Sequence, residues 1–210
     1  MIRQPRQKRS QQRFEAILDA AERLLMVQEP DAISIYTLAE EAEISPPSIY
    51  HFFSDAGQVF IALSERFLVN FVAGFDCPPS GPFTTWQELL QLRYREGLEY
   101  YNAHAPARRL LLGSGLSATI RGRDLENDRQ LAQRTLEEMR SHFVMPEAPD
   151  MVERFTELLV ISDALWALSV HRHGTITEAY EEQARRAREA YCRTFLPEYL
   201  PTRLPEDVVT

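Results

Sequence analysis

The sequence predicts an all-α protein of about nine helices. Apolar residues recur at spacings of three and four along most of the chain, and no segment shows the two-residue alternation of a strand. Eight glycines and thirteen prolines separate the helical segments. With 210 residues, 44% of them hydrophobic, the chain is large enough to bury a core.

Four helices are predicted in the first third of the chain. The first has an apolar face over residues 14–25. Ser34 is the expected N-cap of a short second helix, and Ser45, which a proline follows, is that of a short third helix. Asp55 opens the fourth helix, which runs to Phe71, as part of a capping box.

The remaining five helices are delimited by the same signals. Their predicted ranges are about 84–104, 110–112, 124–143, 150–171 and 175–195. Asp150 and Thr175 are the predicted caps of the last two helices, and Gly174 is the stop between them. On the last helix, Glu181 and Arg185 lie four residues apart and are expected to form a solvated ion pair.

Composition excludes several classes of protein. Twenty-three basic and thirty-one acidic residues give a net charge of −8, so DNA contact requires a local basic patch. Cys77 and Cys192 are far apart and offer neither a disulfide framework nor zinc spacing, which is typical of a cytoplasmic protein. No apolar run of membrane-spanning length is evident.

No motif for catalysis stands out. The sequence has no glycine-rich phosphate loop, no nucleophile elbow and no convincing metal-ligand spacing. We therefore predict no catalytic residues, no cofactor and no metal.

Residues 34–53 have the organisation of a helix-turn-helix. Two short helices joined by a tight turn follow a longer one, and Ile35, Leu38 and Ile49 are placed to face inward. The outward positions of the third helix can donate to phosphate or reach a base edge. These positions are Pro47, Ser48, Tyr50 and His51.

This stretch resembles the TetR family of transcriptional regulators. The family pattern is a Thr, an aliphatic–Ala pair, Ala-Gly-Val-Ser and then Leu-Tyr-x-His/Tyr-Phe. The matching residues are Ser34, Leu38-Ala39, Ala42-Glu43-Ile44-Ser45 and Ile49-Tyr50-His51-Phe52-Phe53. The resemblance is strong over about residues 10–70.

The resemblance implies a domain organisation and a function. It implies a basic arm (1–9), a DNA-binding domain (10–56), a ligand-binding and dimerisation domain (57–197) and a tail (198–210). A homodimer formed by the last two long helices would repress transcription from a palindromic operator until a small apolar or aromatic effector released it. The implied DNA-binding residues are Ser34, Tyr36, Pro47, Ser48, Tyr50 and His51.

The sequence departs from the family pattern at two positions. Glu43 replaces the turn glycine, so we expect an adjusted turn, and Ala56 replaces a phosphate-binding lysine. The basic residues of the arm compensate if they enter the minor groove; the alternative is a solvated terminus. They include Arg3, Arg6, Lys8 and Arg9.

These departures favour an alternative function. A helical small-molecule-binding protein or enzyme that has lost DNA binding would also tolerate an acidic helix-turn-helix.

A ligand pocket is predicted among the later helices. An aromatic and apolar stripe runs along the fifth helix, and the eighth helix adds a carboxylate and an indole. The candidate residues are Trp86, Leu90, Tyr94, Tyr101, His104, Asp163 and Trp166. Asp163 needs a partner if it is buried, and a ligand, an arginine of a second subunit and water are all open.

Overall fold

Nine α-helices form the described part of the chain in the computed structural model, which covers residues 7–74, 82–113 and 117–203. Over these residues the all-α prediction is confirmed, with a short 3-10 helix at Pro30–Ala32 and a single isolated bridge between Phe143 and Thr202. The helices are α1 (Lys8–Leu25), α2 (Ile35–Glu41), α3 (Pro46–Tyr50), α4 (Ala56–Gly74), α5 (Trp86–Ala103), α6 (Ala105–Leu111), α7 (Ala118–His142), α8 (Met151–His173) and α9 (Glu178–Cys192).

The chain divides into two compact units. The N-terminal unit comprises Met1–Asn70 and His104–Arg123, and the C-terminal unit comprises Phe71–Ala103 and Asp124–Thr210. Because the second unit begins at residue 71, the last turn of α4 belongs to it, while most of α4 belongs to the first unit.

The N-terminal unit is built on the apolar face of α1. Leu38, Ile49 and Phe53 from α2, α3 and the segment after it are almost fully buried. The ring of Phe14 on α1 lies 5.0 Å from that of Phe53 and 5.8 Å from that of Phe52, centroid to centroid. This aromatic cluster fixes the short helices against the long one.

The C-terminal unit has its own core. Trp86, Phe143 and Phe155 are among its largest fully buried side chains. Helices α8 and α9 pack along each other as a hairpin. Gly174 ends α8 with φ +72°, and its amide donates to the carbonyl of Val170, which confirms the predicted stop.

The predicted cap of α2 is confirmed. The Ser34 hydroxyl accepts from the Thr37 amide (3.2 Å), and the Thr37 hydroxyl accepts from the Ser34 amide (2.8 Å). At α4, the carboxylate of Asp55 accepts from the Gln58 amide (3.0 Å). Both caps are local interactions, so the sequence pattern was sufficient to predict them.

Two predicted N-cap residues do not cap their helices with their side chains. Ser45 and Asp150 occupy the N-cap positions of α3 and α8, yet neither side chain accepts a helix amide. The Ser45 hydroxyl lies 2.9 Å from that of Ser48, and the Asp150 carboxylate accepts from Arg154 (2.8 Å). In each case another side chain of the same helix competes successfully with the backbone.

The predicted cap of α9 is also wrong. Thr177 caps this helix by accepting from the Tyr180 amide (3.4 Å). Thr175 instead donates its hydroxyl to the side-chain carbonyl of Asn102 on α5 (2.6 Å). This contact between distant parts of the chain could not be read from the local pattern.

Helix α7 begins at Ala118 and not at Asp124 as predicted. The Ser117 hydroxyl accepts from the Ile120 amide (3.2 Å), so the first turn is capped by its own preceding residue. Gly122 does not interrupt this helix. Helix α1 also begins earlier than predicted, because it includes Lys8 and Arg9 of the expected arm.

Helix α4 is apolar enough to deserve comparison with a membrane span. Over Ala56–Ala73 its mean hydropathy is 1.2, and half of this window is buried inside the protein. Arg66 on this helix pairs with Asp19 (2.7 Å) and Glu22 (2.5 Å) of α1. Such contacts are typical of the core helix of a water-soluble domain.

Candidate DNA-binding face and ligand cavity

The turn between α2 and α3 is made by a glutamate in a glycine-like conformation. Glu43 has φ +55°, and no other described non-glycine residue has a positive φ. The Ile44 amide donates to the Ala39 carbonyl (3.0 Å) and the Glu43 amide to the Glu40 carbonyl (3.2 Å), which is the Schellman pattern of helix termination. The expected adjustment of the turn is therefore wrong, because the backbone keeps the left-handed form at a cost of about 1–2 kcal/mol.

The surface of α2 and α3 exposes aromatic and polar side chains. Tyr36 on α2 is 70% exposed and Tyr50 on α3 is 51% exposed. Ser34, Pro47 and His51 are exposed as well. The structure thus gathers most of the predicted DNA-binding residues on two adjacent short helices, and this set is called the α2–α3 face below.

Two predicted hydroxyl donors on the α2–α3 face are engaged locally. The Ser34 hydroxyl takes part in the cap of α2, and the half-buried Ser48 hydroxyl lies against that of Ser45. The phenols of Tyr36 and Tyr50 and the imidazole of His51 are consequently the most accessible hydrogen-bonding groups.

The charges of α2 and its turn are acidic. Glu40 and Glu43 are exposed, and Glu41 accepts from the Arg23 side chain (2.5 Å). Ala56 opens α4 without a charge. Among the described residues, the basic groups nearest the N-terminus lie on the first turns of α1 and are exposed. They are Lys8, Arg9 and Arg13. Arg3 and Arg6 lie outside the described residues.

The C-terminal unit contains a cavity with about 480 Å³ of empty space, a volume that includes its mouth open to solvent. Four aromatic residues, two aspartates and an arginine dominate its lining. The lining residues are Phe71, Arg93, Tyr94, Gly97, Tyr101, Asn127, Asp128, Leu131, Thr135, Leu159, Asp163 and Trp166.

The aromatic wall of the cavity centres on Trp166. Its ring lies 6.3 Å from that of Tyr94 and 6.0 Å from that of Tyr101, both edge to face. A Cβ at Gly97 would stand 3.4 Å from the Trp166 ring and 3.6 Å from that of Phe71. The missing side chain at position 97 therefore leaves these rings exposed to the cavity.

A buried polar network supports the aromatic residues of the cavity wall. The Trp166 indole N–H donates to Glu181 (2.8 Å), and Arg188 donates to the other oxygen of Glu181 (2.7 Å) and to the Ser162 hydroxyl (3.1 Å). The guanidinium of Arg188 lies 3.8 Å from the centre of the Tyr94 ring. Two rings of the cavity are thus fixed by one buried ion pair.

This network corrects the prediction for the last helix. Glu181 does not pair with Arg185 on a solvated surface; it is buried and pairs with Arg188. Arg185 pairs with Glu182 (2.7 Å) and Glu189 (2.5 Å) instead. The i,i+4 rule identified ion pairing on α9 but not which carboxylate faces α8.

Three buried aspartates converge beside the cavity. Asp124 and Asp128 on α7 and Asp163 on α8 each offer a carboxylate oxygen within 4.8 Å of the others. The pKa of the Tyr101 phenol lies well above its usual value. Burial is the largest cause, and the charges of these three carboxylates raise the pKa further. Tyr101 consequently keeps its proton and remains a hydrogen-bond donor beside them.

Sequence reasoning found only one of these aspartates. Asp163 is among the predicted pocket residues, whereas Asp124 and Asp128 are not. The available signal was their position on α7 at the same helical spacing as Leu131, a buried residue. Acids on an apolar stripe indicate a buried polar site.

The cavity contains one cationic lining residue, and its charge is matched. Arg93 donates to both carboxylate oxygens of Glu138, with a 2.7 Å contact from Nε, and to Glu96 (2.8 Å). Burial, the largest effect, opposes its charge, but the two glutamates raise its pKa above the usual value. Arg93 therefore stays positive.

Three predicted pocket residues lie elsewhere. Trp86 is fully buried and donates its indole N–H to the carbonyls of Pro197 (3.0 Å) and Glu198 (3.2 Å). Leu90 is buried outside the cavity lining. His104 is exposed at the N-cap of α6 and belongs to the N-terminal unit.

Comparisons with known proteins agree with this organisation. Residues 17–63 match the family model described as bacterial regulatory proteins, tetR family. No curated protein matches the chain.

Solved structures share the fold over most of the chain. A TetR-family transcriptional regulator from Streptomyces coelicolor is 24% identical, with a TM-score of 0.62 over 90% of this chain and 99% of its own. A TetR transcriptional regulator from Rhodococcus sp. RHA1 is 15% identical (TM-score 0.64; 89% and 97% covered). SmeT, the repressor of the Stenotrophomonas maltophilia multidrug efflux pump SmeDEF, is also 15% identical (TM-score 0.59; 89% and 90% covered).

Proposed function

We propose that this chain, whose residues 17–63 match the family model described as bacterial regulatory proteins, tetR family, is a homodimeric repressor that a small molecule releases from a palindromic operator. The observation that carries the proposal is the exposed α2–α3 face of the N-terminal unit. The ligand cavity of the C-terminal unit supports the regulatory part of the proposal.

The α2–α3 face has the chemistry of a groove-reading surface. Tyr36, Tyr50 and His51 present donors and acceptors without a fixed negative charge. The basic start of α1, together with Arg3 and Arg6, supplies the phosphate attraction that the acidic α2 lacks.

The regulatory step joins the cavity to the DNA-binding domain through α4. Phe71 in the last part of this helix lines the cavity, while Val59 near its start is buried in the N-terminal unit. A ligand that displaces Phe71 shifts α4 and with it the spacing of the two recognition helices, which a palindrome fixes at about one DNA turn. The ligand must bind the released conformation more tightly for this to occur.

Dimerisation uses α8 and α9. Ile161, Ala164 and Leu168 recur on α8 at spacings of three and four and are half-buried or exposed in the single chain. On α9, Ala190 is exposed and allows close approach of a second helix. This pattern favours a four-helix interface between two copies.

Leu168→Asp should convert the dimer to a monomer and abolish operator binding, because it places a charge in the proposed interface. Sedimentation velocity and fluorescence anisotropy check the two effects. Val144→Asp is the matched control, since Val144 is an exposed apolar residue of the same unit outside α8 and α9. A Leu168→Asp protein that remains dimeric contradicts the assigned interface.

The decisive test of DNA recognition is an anisotropy titration on the DNA upstream of the gene. Tyr36→Ala and Tyr50→Ala should each weaken specific binding by tenfold or more, since an anchoring contact contributes about 1–3 kcal/mol. Tyr199→Ala is the control, because Tyr199 is 78% exposed and belongs to the other unit. Specific binding that neither α2–α3 variant weakens would exclude this face.

The alternative is a helical ligand-binding protein or enzyme without DNA binding, which the acidic α2 and Ala56 favour. No specific, salt-sensitive binding to the upstream DNA, together with turnover of a cavity ligand, would support it. The proposed repressor is not catalytic, requires no cofactor and acts in the cytoplasm.

A further inference from the structure

We propose that residues 197–203, called the strap below, hold α5 and α7 together, and that the cavity of the C-terminal unit widens when the strap undocks. The family resemblance implies a tail from residue 198 onwards, whereas residues 198–203 are hydrogen-bonded to the helical core of this unit. As a statement about the cavity the proposal is independent of DNA binding. That effector entry requires undocking of the strap rests on the proposed function.

The first part of the strap is bonded to the start of α5. The indole N–H of Trp86 donates to the carbonyls of Pro197 (3.0 Å) and Glu198 (3.2 Å), and the side-chain amide of Gln87 donates to the Glu198 carbonyl (3.1 Å). Trp86 is fully buried, so its N–H needs a partner inside the protein. The strap supplies that partner.

The last part of the strap is bonded to the end of α7. The amide of Val144 donates to the carbonyl of Pro201 (2.8 Å), and the amide of Arg203 donates to the carbonyl of His142 (2.8 Å). Pro201 accepts here as Pro197 does at α5, and the ring of a proline fixes its φ angle. The strap is therefore a stiff segment, and fixing it against the helices costs less conformational entropy than fixing a flexible one.

The strap bridges the two helices that form most of the cavity. Helices α5 and α7 each contribute four of the lining residues, whereas α8 contributes three and α4 one. On α5, Trp86 precedes the first lining residue, Arg93, by about two helical turns, and on α7 His142 follows the last lining residue, Thr135, by about two turns. The strap thus fixes the separation of α5 and α7 close to the cavity.

A second connection between these helices lies between the strap and the cavity. Arg93 on α5 pairs with Glu138 on α7 through both carboxylate oxygens. A close-packed wall does not stretch gradually, so a ligand larger than the present cavity requires α5 and α7 to move apart. With the strap docked, two connections oppose that movement, and the strap is the outer one.

The strap is attached in a way that allows it to undock. Within residues 197–203, Leu200 is buried and the other six residues are exposed. Segments with few buried apolar contacts and with hydrogen bonds close to solvent open at a low free-energy cost. We therefore expect the strap to undock while the helices remain folded.

The test compares two neighbouring substitutions in the full-length protein without DNA. Leu200→Asp places a charge at the buried position and should undock the strap. Tyr199→Asp is the matched control, because the Tyr199 side chain is 78% exposed. Hydrogen exchange followed by mass spectrometry reports the opening of each helix.

The two variants should differ in α5 and α7 alone. Leu200→Asp should accelerate amide exchange in these helices by about tenfold or more relative to Tyr199→Asp, and leave α8 and α9 within about twofold. Unchanged exchange in α5 and α7 would overturn the proposal. Equal acceleration in all four helices would also overturn it, because it would show a general loss of stability.

A second measurement reports the cavity itself. Trp166 lines the cavity and is 3% exposed, and Trp86→Phe leaves it as the only tryptophan of the chain. In this background, Leu200→Asp should increase acrylamide quenching of Trp166 by about twofold or more, and Tyr199→Asp should not. Faster exchange with unchanged quenching of Trp166 would show that the strap only packs against the helix ends, and would overturn the proposal.

Thermal unfolding and circular dichroism check that each variant is folded. If Leu200→Asp does not fold, Leu200→Ala replaces it, since it removes apolar contact without adding a charge, and the same outcomes decide. The two proposals fail separately. Absence of operator binding refutes the repressor alone, and operator binding with unchanged quenching of Trp166 refutes the strap alone.

Discussion

The two units of this protein differ in the charged side chains that they bury. On the α2–α3 face, Glu40 and Glu43 are exposed to water, whereas six charged residues, including Glu181 and Arg188, are buried in the described part of the C-terminal unit. Water and salt screen exposed charges, while buried charges interact strongly and are costly to leave unpaired. The comparison teaches that substitutions of the exposed charges on the α2–α3 face should alter DNA affinity. Substitutions of the buried charges in the C-terminal unit should instead alter the free energy of unfolding.

The largest expected effect is on the buried ion pair. Arg188→Ala leaves Glu181 buried without its cation and removes the support of Tyr94, so the free energy of unfolding should fall by about 3–5 kcal/mol. Urea denaturation measures this change. Arg186→Ala is the matched control, because its partner Glu182 is part of the solvated surface of α9, and little change is expected. Similar losses in both variants would contradict the contrast between buried and solvated charges.

The next largest effect concerns the left-handed turn at Glu43 in the N-terminal unit. Glu43→Gly should raise the free energy of unfolding by about 1 kcal/mol, since glycine adopts the left-handed conformation without strain. The same substitution at Glu40, inside α2, should lower it by about 1 kcal/mol. Thermal and urea unfolding measure both. Destabilisation by Glu43→Gly would show that the glutamate side chain contributes more than its backbone costs.

The smallest effect concerns a buried thiol. Burial raises the pKa of Cys192 to about 12 from 9.0, so in a Cys77→Ser background it should not react with Ellman's reagent at pH 8 until the protein unfolds. Because the unfolded thiol releases its proton first, this group lowers stability only as the pH rises from about 9 towards 12. Cys192→Ala should show a shallower alkaline decline. Rapid reaction of the native thiol would contradict its burial.

The fold and the composition of the α2–α3 face were largely predictable because they depend on local pattern. The cap at Ser34 and the inward position of Ile49 follow from spacing along short helices, whereas the exposed Tyr36 follows from the family resemblance. The left-handed turn at Glu43 did not follow, because the surrounding hydrogen bonds override the residue's own preference.

The cavity was predictable only in part because it is assembled from distant segments. Tyr94 and Tyr101 were predicted from the stripe of the fifth helix, and Trp166 from its place beside Asp163 on the eighth. Asp128 and Glu181 were not, since which face of α7 or α9 is buried depends on the packing of other helices. His104 lay next to the stripe in sequence but belongs to the other unit.

Hydroxyl-radical footprinting of the upstream DNA tests the central claim most directly. The account predicts two protected patches related by a two-fold axis, with centres about one helical turn (or a small multiple of it) apart, which disappear in the Tyr36→Ala/Tyr50→Ala double variant. A uniform cleavage pattern at protein concentrations that saturate the wild-type anisotropy signal would contradict the claim that the α2–α3 face reads DNA as a symmetric pair.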